Sequence, residues 1–330
     1  MAENNIENRI GTVGGEAVIE GVMMRAGNRI ALSVRDTSGN IKTEISNLSP
    51  IKSKFLKLPL IRGVVNFLLS MKMSIDCLNR ACDMLGIEDE ETKFSKWLSE
   101  KFGKSITAVA SAIGTVLGIA LSLFLFMYIP TACSKLIFGT ETEGGMRILK
   151  SVFQGVFKIA IFLCYVSLVS LLPDIKRVFQ YHGAEHKSIF CHEAYLELTV
   201  ENVKAQSRFH PRCGTSFLVV MMIIGIISSF FLVNLPTLPQ VICKIITLPL
   251  VVGLGYEFIK YAGKHDNMFV KILSAPGLWI QRITTKEPDE QQMEVAIRSL
   301  KAALPDIYPE VLEELDEKKC EDENNVSSEN

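Results

Sequence analysis

SITAVASAIGTVLGIALSLFLFMYIPTACS, residues 105–134, carries no charged side chain over 30 positions. The hydrocarbon core of a bilayer takes roughly 20 apolar residues in a helix, so this stretch predicts a membrane span at 106–129. Working outward, residues 148–172 predict a second span, interrupted by Lys150 and Lys158, with a short uncharged stretch, IAIFLCYVSLVSLL. Residues 213–243 are again free of charge. They predict a third span at 217–233 and a tight return through NLPTLPQ. A fourth span is expected at 241–258, where Lys244 and Glu257 sit near the ends and lysine can reach toward the headgroups. The fold class is an α-helical integral membrane bundle of about four spans.

The rest of the chain is polar, and that contrast explains the composition. Over 330 residues, 48% are hydrophobic and 22% charged, with a mean hydropathy of +0.26. Apolar and charged residues occupy different segments. A net charge of −1 gives no electrostatic footprint for nucleic acid. Eight cysteines without a CxxC pair suit a reducing compartment better than a disulfide framework. The first residues, MAENNIENRI, lack the apolar core of a cleavable signal.

Lysine and arginine set an expected orientation. Lys93, Lys96, Lys101 and Lys104 precede the first span. Lys176, Arg177, Lys187, Lys204, Arg208 and Arg212 separate the second and third. Lys260, Lys264, Lys271, Arg282 and Lys286 follow the fourth. The remaining loops hold only Lys135, Arg147 and Lys150. Both termini and the central loop 173–212 are therefore expected in the cytoplasm, with the protein in the cytoplasmic membrane. Membrane lipids are the expected partners, alongside an unidentified substrate or a membrane-protein partner.

Four segments result: 1–54, 55–104, 105–258 and 259–330. The first is a small β-rich cytoplasmic part. GGEAVIEGVMMR at 14–25 reads as a turn feeding a strand, and RIALSVR at 29–35 alternates like IKTEIS at 41–46. The cluster DTSGN between them makes a hairpin. Residues 55–83 show helical spacing interrupted by Lys57, Arg62 and Lys72, as in a re-entrant or surface-lying amphipathic helix. After the spans, 287–304 predicts an amphipathic helix, and the acidic tail from Asp316 predicts disorder.

The chemistry concentrates in 173–212, which holds four of the five histidines. In YHGAEHK at 181–187, His182 and His186 lie four apart and share a helical face. Two imidazoles so placed can grip one divalent ion. Glu185 beside them can reach a water on that ion, as in the H-x-x-E-H arrangement of inverted zincins. Glu193 falls near the same face. Gly183 weakens the helix by about 1 kcal/mol relative to alanine, unless close packing requires it. In FHPRCGTS at 209–216, His210 and Cys213 are plausible soft-metal ligands. Glu257, an acid at the end of an apolar span, is either a third ligand or the partner of Lys260 or Arg212. Cys191 and His192 read as surface residues, and Glu16 and Glu20 as charges on a solvated strand face.

These segments resemble one family. GGEAVIEGVMMR, PLIRGVVNFL, YHGAEHKSIF, FHPRCGTSFL, GYEFIK and PGLWIQRITTKEPDEQQMEVAI are similar to motifs of the YqhQ family of bacterial membrane proteins, from about residue 14 to 304. The resemblance implies a multi-span membrane protein, described as a metal-dependent enzyme, with His182, Glu185, His186 and His210 in its polar motifs. Glu16 stands where the resemblance leads one to expect glutamine, and His192 where it leads one to expect tyrosine.

The expected site is a divalent-metal centre, with zinc as the ion. Its ligands are His182, His186 and either His210 or Glu257, and Glu185 is the catalytic base. The expected reaction is hydrolysis of a peptide or lipid-linked bond at the cytoplasmic membrane face. The rival expectation is a non-catalytic membrane protein, an ion transporter or an assembly factor or scaffold, built on the same His/Glu cluster.

Overall fold

The structure is a computed structural model that describes residues 9–49, 53–86, 105–140, 142–262, 265, 267–312 and 314. The expected disordered tail from Asp316 lies outside the described residues, as do residues 1–8 and 87–104.

The N-terminal part is an antiparallel meander of β1 (Val13–Val18), β2 (Gly21–Ala26), β3 (Arg29–Arg35) and β4 (Ile41–Asn47), paired in chain order. The expected hairpin at 29–46 is present. The stretch 14–25, expected as one strand, folds back on itself as β1 and β2, with Val18 opposite Gly21. Glu20 in the turn takes a positive φ of 49°. The apolar run of β2 needs no alternation because both faces of the sheet are covered. Val22 and Met24 face one core with Tyr181, Met293 and Leu300, and Met23 faces another with Cys77 and Ala81.

The second core includes α1 (Ile61–Leu85), which buries only Gly63, Cys77 and Ala81 and exposes Leu68, Leu69, Met71 and Ile75. The first core includes α10 (Glu290–Ala303), the amphipathic helix expected at 287–304. It is started by an Asp289–Gln292 capping box and packs on β2, β3 and the histidine-bearing helix.

The apolar segments form α2 (Ser105–Leu123), continued through a π turn (Phe124–Tyr128) into α3 (Ile129–Phe138), then α4 (Gly144–Val169), α7 (Gly214–Leu232) and α8 (Thr237–Ala262). Among the described residues, three helices are long and apolar enough to cross a membrane: Ile113–Phe138, Gly144–Val169 and Thr237–Ala262, of 26 residues each. At 1.5 Å per residue each is about 39 Å long, more than a hydrocarbon core requires. The fourth apolar helix, Phe217–Leu232, is shorter. Helix α1 meets α8 where Gly63 faces Gly253: a Cβ on Gly63 would lie 2.9 Å from the Gly253 Cα.

The polar region between α4 and α7 comprises α5 (Pro173–Glu193) and the short α6 (Val200–Lys204). After α8 comes α9 (Met268–Thr284), a helix not expected from the sequence reading, which exposes Met268, Phe269, Ile272 and Trp279. The side-chain oxygen of Asn267, which accepts from Val270 N, caps it.

Candidate metal centre

Helix α5 starts at Pro173, whose missing N–H costs nothing at a helix N-terminus. Its second half is buried because α10, α6 and β1 pack around it. Gly183 is indispensable to that packing: a Cβ there would lie 2.1 Å from the Lys286 carbonyl oxygen. The segment after α9 is drawn against α5 at that point, with Lys286 N donating to Phe179 O at 2.8 Å.

This docking brings a backbone acceptor to each imidazole. His182 Nδ1 lies 2.9 Å from Thr284 O, and His186 Nδ1 lies 2.6 Å from Arg208 O. Carbonyls only accept, so each Nδ1 carries a proton and Nε2 is the nitrogen left to coordinate. The two rings stand edge to face, with centroids 4.4 Å apart. Cys213, at the N-cap of α7, places its Sγ 3.2 Å from His182 Nε2. One ligand atom each from His182, His186 and Cys213 falls within 4.8 Å of the other two. Burial pushes the Cys213 thiol up, but the adjacent His186 imidazole and Thr215 outweigh it, leaving the thiol below its ordinary range. Burial holds His186 below the usual histidine value.

Glu185 faces the same cleft and is 4% exposed, with an Oε2 that has no hydrogen-bond partner. Burial pushes its carboxyl up to about 8; His182 opposes the rise, while Cys213 and Glu16 add to it. The cleft of about 860 Å³ is walled by β1 and Met23 on one side and by His182, Glu185, His186 and Cys213 on the other. Glu16, expected on a solvated face, lines this cleft instead. Its Oε2 accepts from Ser74 Oγ of α1 at 2.6 Å, and burial raises its pKa. Glu20 pairs with Arg177, with Tyr181 also donating to it.

Two expected ligands stand apart from the trio. His210 is buried beside it, its ring centroid 5.6 Å from that of His186. Its Nε2 lies 3.5 Å from Glu193, and Glu193 in turn holds Arg212 and the Gly11 amide. The backbone of His210 is clamped by Gln281, which accepts from His210 N and donates to His210 O, each at 2.8 Å. That clamp fixes the turn carrying Cys213. Glu257 is bonded through both oxygens to Arg62 of α1, at 2.6 and 2.5 Å. Its partner is therefore neither the histidine cluster nor Lys260 or Arg212: it ties α1 to α8. Cys191 and His192, expected at the surface, are fully buried, the latter with Nδ1 3.1 Å from Tyr308 OH. No local property of the sequence put Glu16 or the Gln281 clamp in the site. The resemblance's GGEAVIEG motif was the one signal for the first, and no signal pointed to the second.

A family described as a protein of unknown function, DUF1385, matches residues 58–306. The uncharacterized protein YqhQ of Bacillus subtilis (strain 168) is 33% identical over 298 residues, covering 88% of this chain and 92% of that protein. No solved structure matches. A match across this much of the chain means that the protein belongs to the DUF1385 family, to which the expected resemblance to YqhQ had pointed.

Proposed function

We propose that the protein is an integral membrane hydrolase acting at the cytoplasmic face, with a zinc ion held by His182, His186 and Cys213. The observation that carries the reading is the convergence of three ligand atoms within 4.8 Å beside a buried carboxyl group whose Oε2 has no hydrogen-bond partner. The donor set fits the ion: two imidazoles with Nδ1 held by backbone carbonyls, and a thiol whose pKa is already lowered. Three protein ligands is the number that catalytic rather than structural zinc sites use. Zinc supplies Lewis acidity, lowering the pKa of water toward about 7.

The protein's own groups carry the proton. Glu185, which lines the cleft and whose Oε2 has no hydrogen-bond partner, accepts it from the attacking water and returns it to the leaving group. Without a cation Glu185 holds a proton at neutral pH, and positive charge beside it favours the carboxylate that a base requires. β1 and Met73 of α1 form the facing wall of the cleft. In the membrane, the three long helices and the shorter Phe217–Leu232 make four spans. The lysine and arginine distribution supports a cytoplasmic position for α5 and the sheet in this reading.

Elemental analysis of the detergent-purified chain tests this. The wild type and Glu185→Gln are expected to carry stoichiometric zinc, and His182→Ala/His186→Ala none. Metal-free wild type, or full occupancy in the double variant, refutes the reading.

A further inference from the structure

A second cavity, of about 250 Å³, lies among the apolar helices, away from the histidines. Its wall includes Phe126, Phe162, Met221, Met222 and Val251, together with three hydroxyl side chains and two lysines. Lys158 is about 21 Å along α4 from Gly144 at 1.5 Å per residue, well inside the span. It has no hydrogen-bond or ion-pair partner among the described residues. Lys244 is buried and donates to Thr131 Oγ1 at 3.0 Å and to Gln154 Oε1 at 2.9 Å, both neutral, leaving one N–H free.

No acid offsets these charges. Over Ile113–Phe138, Gly144–Val169, Gly214–Leu232 and Thr237–Ala262 the sole carboxylate is Glu257, which Arg62 engages. Ammonium groups inside a membrane segment are costly and mark functional sites. Two of them in the wall of one largely apolar cavity call for a ligand with a negative end and a hydrocarbon body. The π turn Phe124–Tyr128, which contributes Phe126 and Met127 to the wall, is a further sign, since such bulges concentrate at functional sites.

We propose that this cavity binds an anionic amphiphile, one acyl chain ending in a carboxylate or phosphate. Its head lies between Lys158 and Lys244 and its chain against the aromatic and methionine wall. The site is independent of the metal reading. Leu218 lines both cavities, so the chain-blocking substitution is placed instead at Gly225, where an added Cβ meets nothing within 4 Å.

The experiment is competition binding to the full chain in non-ionic detergent, with labelled oleate as probe and melting temperature as the check on folding. Oleate is expected to bind saturably, with dodecyl phosphate displacing it; the tighter of the two identifies the preferred head. Methyl oleate and acetate are expected to fail as competitors. Losing a charge-assisted contact weakens binding about tenfold or more, so Lys158→Met is expected to lose affinity by that factor and Lys158→Arg to keep it. Gly225→Leu is expected to lose binding with both lysines in place. Equal competition by methyl oleate, or unchanged binding in Lys158→Met or Gly225→Leu, overturns the proposal.

Discussion

Replacing Gly183 with alanine sets two effects of opposite sign against each other at one carbon atom. Alanine is about 1 kcal/mol better than glycine inside a helix, and Gly183 sits within α5. The new Cβ, however, would lie 2.1 Å from the Lys286 carbonyl oxygen and 3.3 Å from Pro288 Cδ. Backbone cannot rotate away as a side chain can, so the 285–288 segment must move by about 1 Å to restore contact distance, and overpacking of this kind costs about 1–3 kcal/mol. The same movement strains the Lys286 N to Phe179 O hydrogen bond, worth about 1 kcal/mol.

The steric effect wins, with a net loss of about 1–3 kcal/mol. At about 2–4 °C per kcal/mol, the melting temperature falls by roughly 4–8 °C for a loss of 2 kcal/mol. Thr284, whose carbonyl orients His182, moves with the segment, so zinc affinity falls by about tenfold. Thermal melting of the detergent-purified protein and zinc competition read the two effects. Gly118→Ala, in α2 with nothing within 4 Å of its Cβ, is the control, expected to be neutral or stabilising. If Gly183→Ala melts at or above wild type, the packing argument is wrong.

Glu257→Gln should leave zinc stoichiometry unchanged while lowering stability by about 0.5–1.5 kcal/mol, because its part-exposed partner is Arg62. Loss of zinc in that variant would restore Glu257 as a ligand. Cys213, lowered below its ordinary range, should be alkylated by iodoacetamide faster than Cys77 or Cys191, whose thiols burial pushes up to about 11, and added zinc should protect it. Equal labelling of Cys213 with and without zinc, read by mass spectrometry, counts against thiolate ligation. Burial depresses His192 to about 4, so the folded state binds fewer protons than the unfolded chain between about pH 6.5 and 4. Its stabilisation is complete above that window and lost as pH falls through it, by about 2 kcal/mol at pH 5. His192→Gln should flatten the slope of melting temperature between pH 7 and 5, and an identical slope would remove His192 as its source.

The sequence by itself determined the apolar helices, the strand pairing around DTSGN, and the single helical face shared by His182 and His186. Each rests on a local property: a run free of charge, a period of two, or a spacing of four. Such properties are additive along the chain and need no knowledge of what packs where. The position of Gly183 was legible as an exception, a weak helix former kept where only close packing explains it, and the Lys286 carbonyl supplies that packing.

Tertiary structure alone decided the third member of the cluster. Cys213 and Glu257 were both chemically eligible, and they lie 31 and 75 residues from His182. What separates them is the Gln281 clamp on the His210 turn, which swings Cys213 inward, and Arg62, which takes Glu257 for α1. The same holds for Glu16 and His192. Whether a polar side chain faces water or a cleft depends on which remote element covers its strand or helix, and hydropathy along the chain carries no record of that contact.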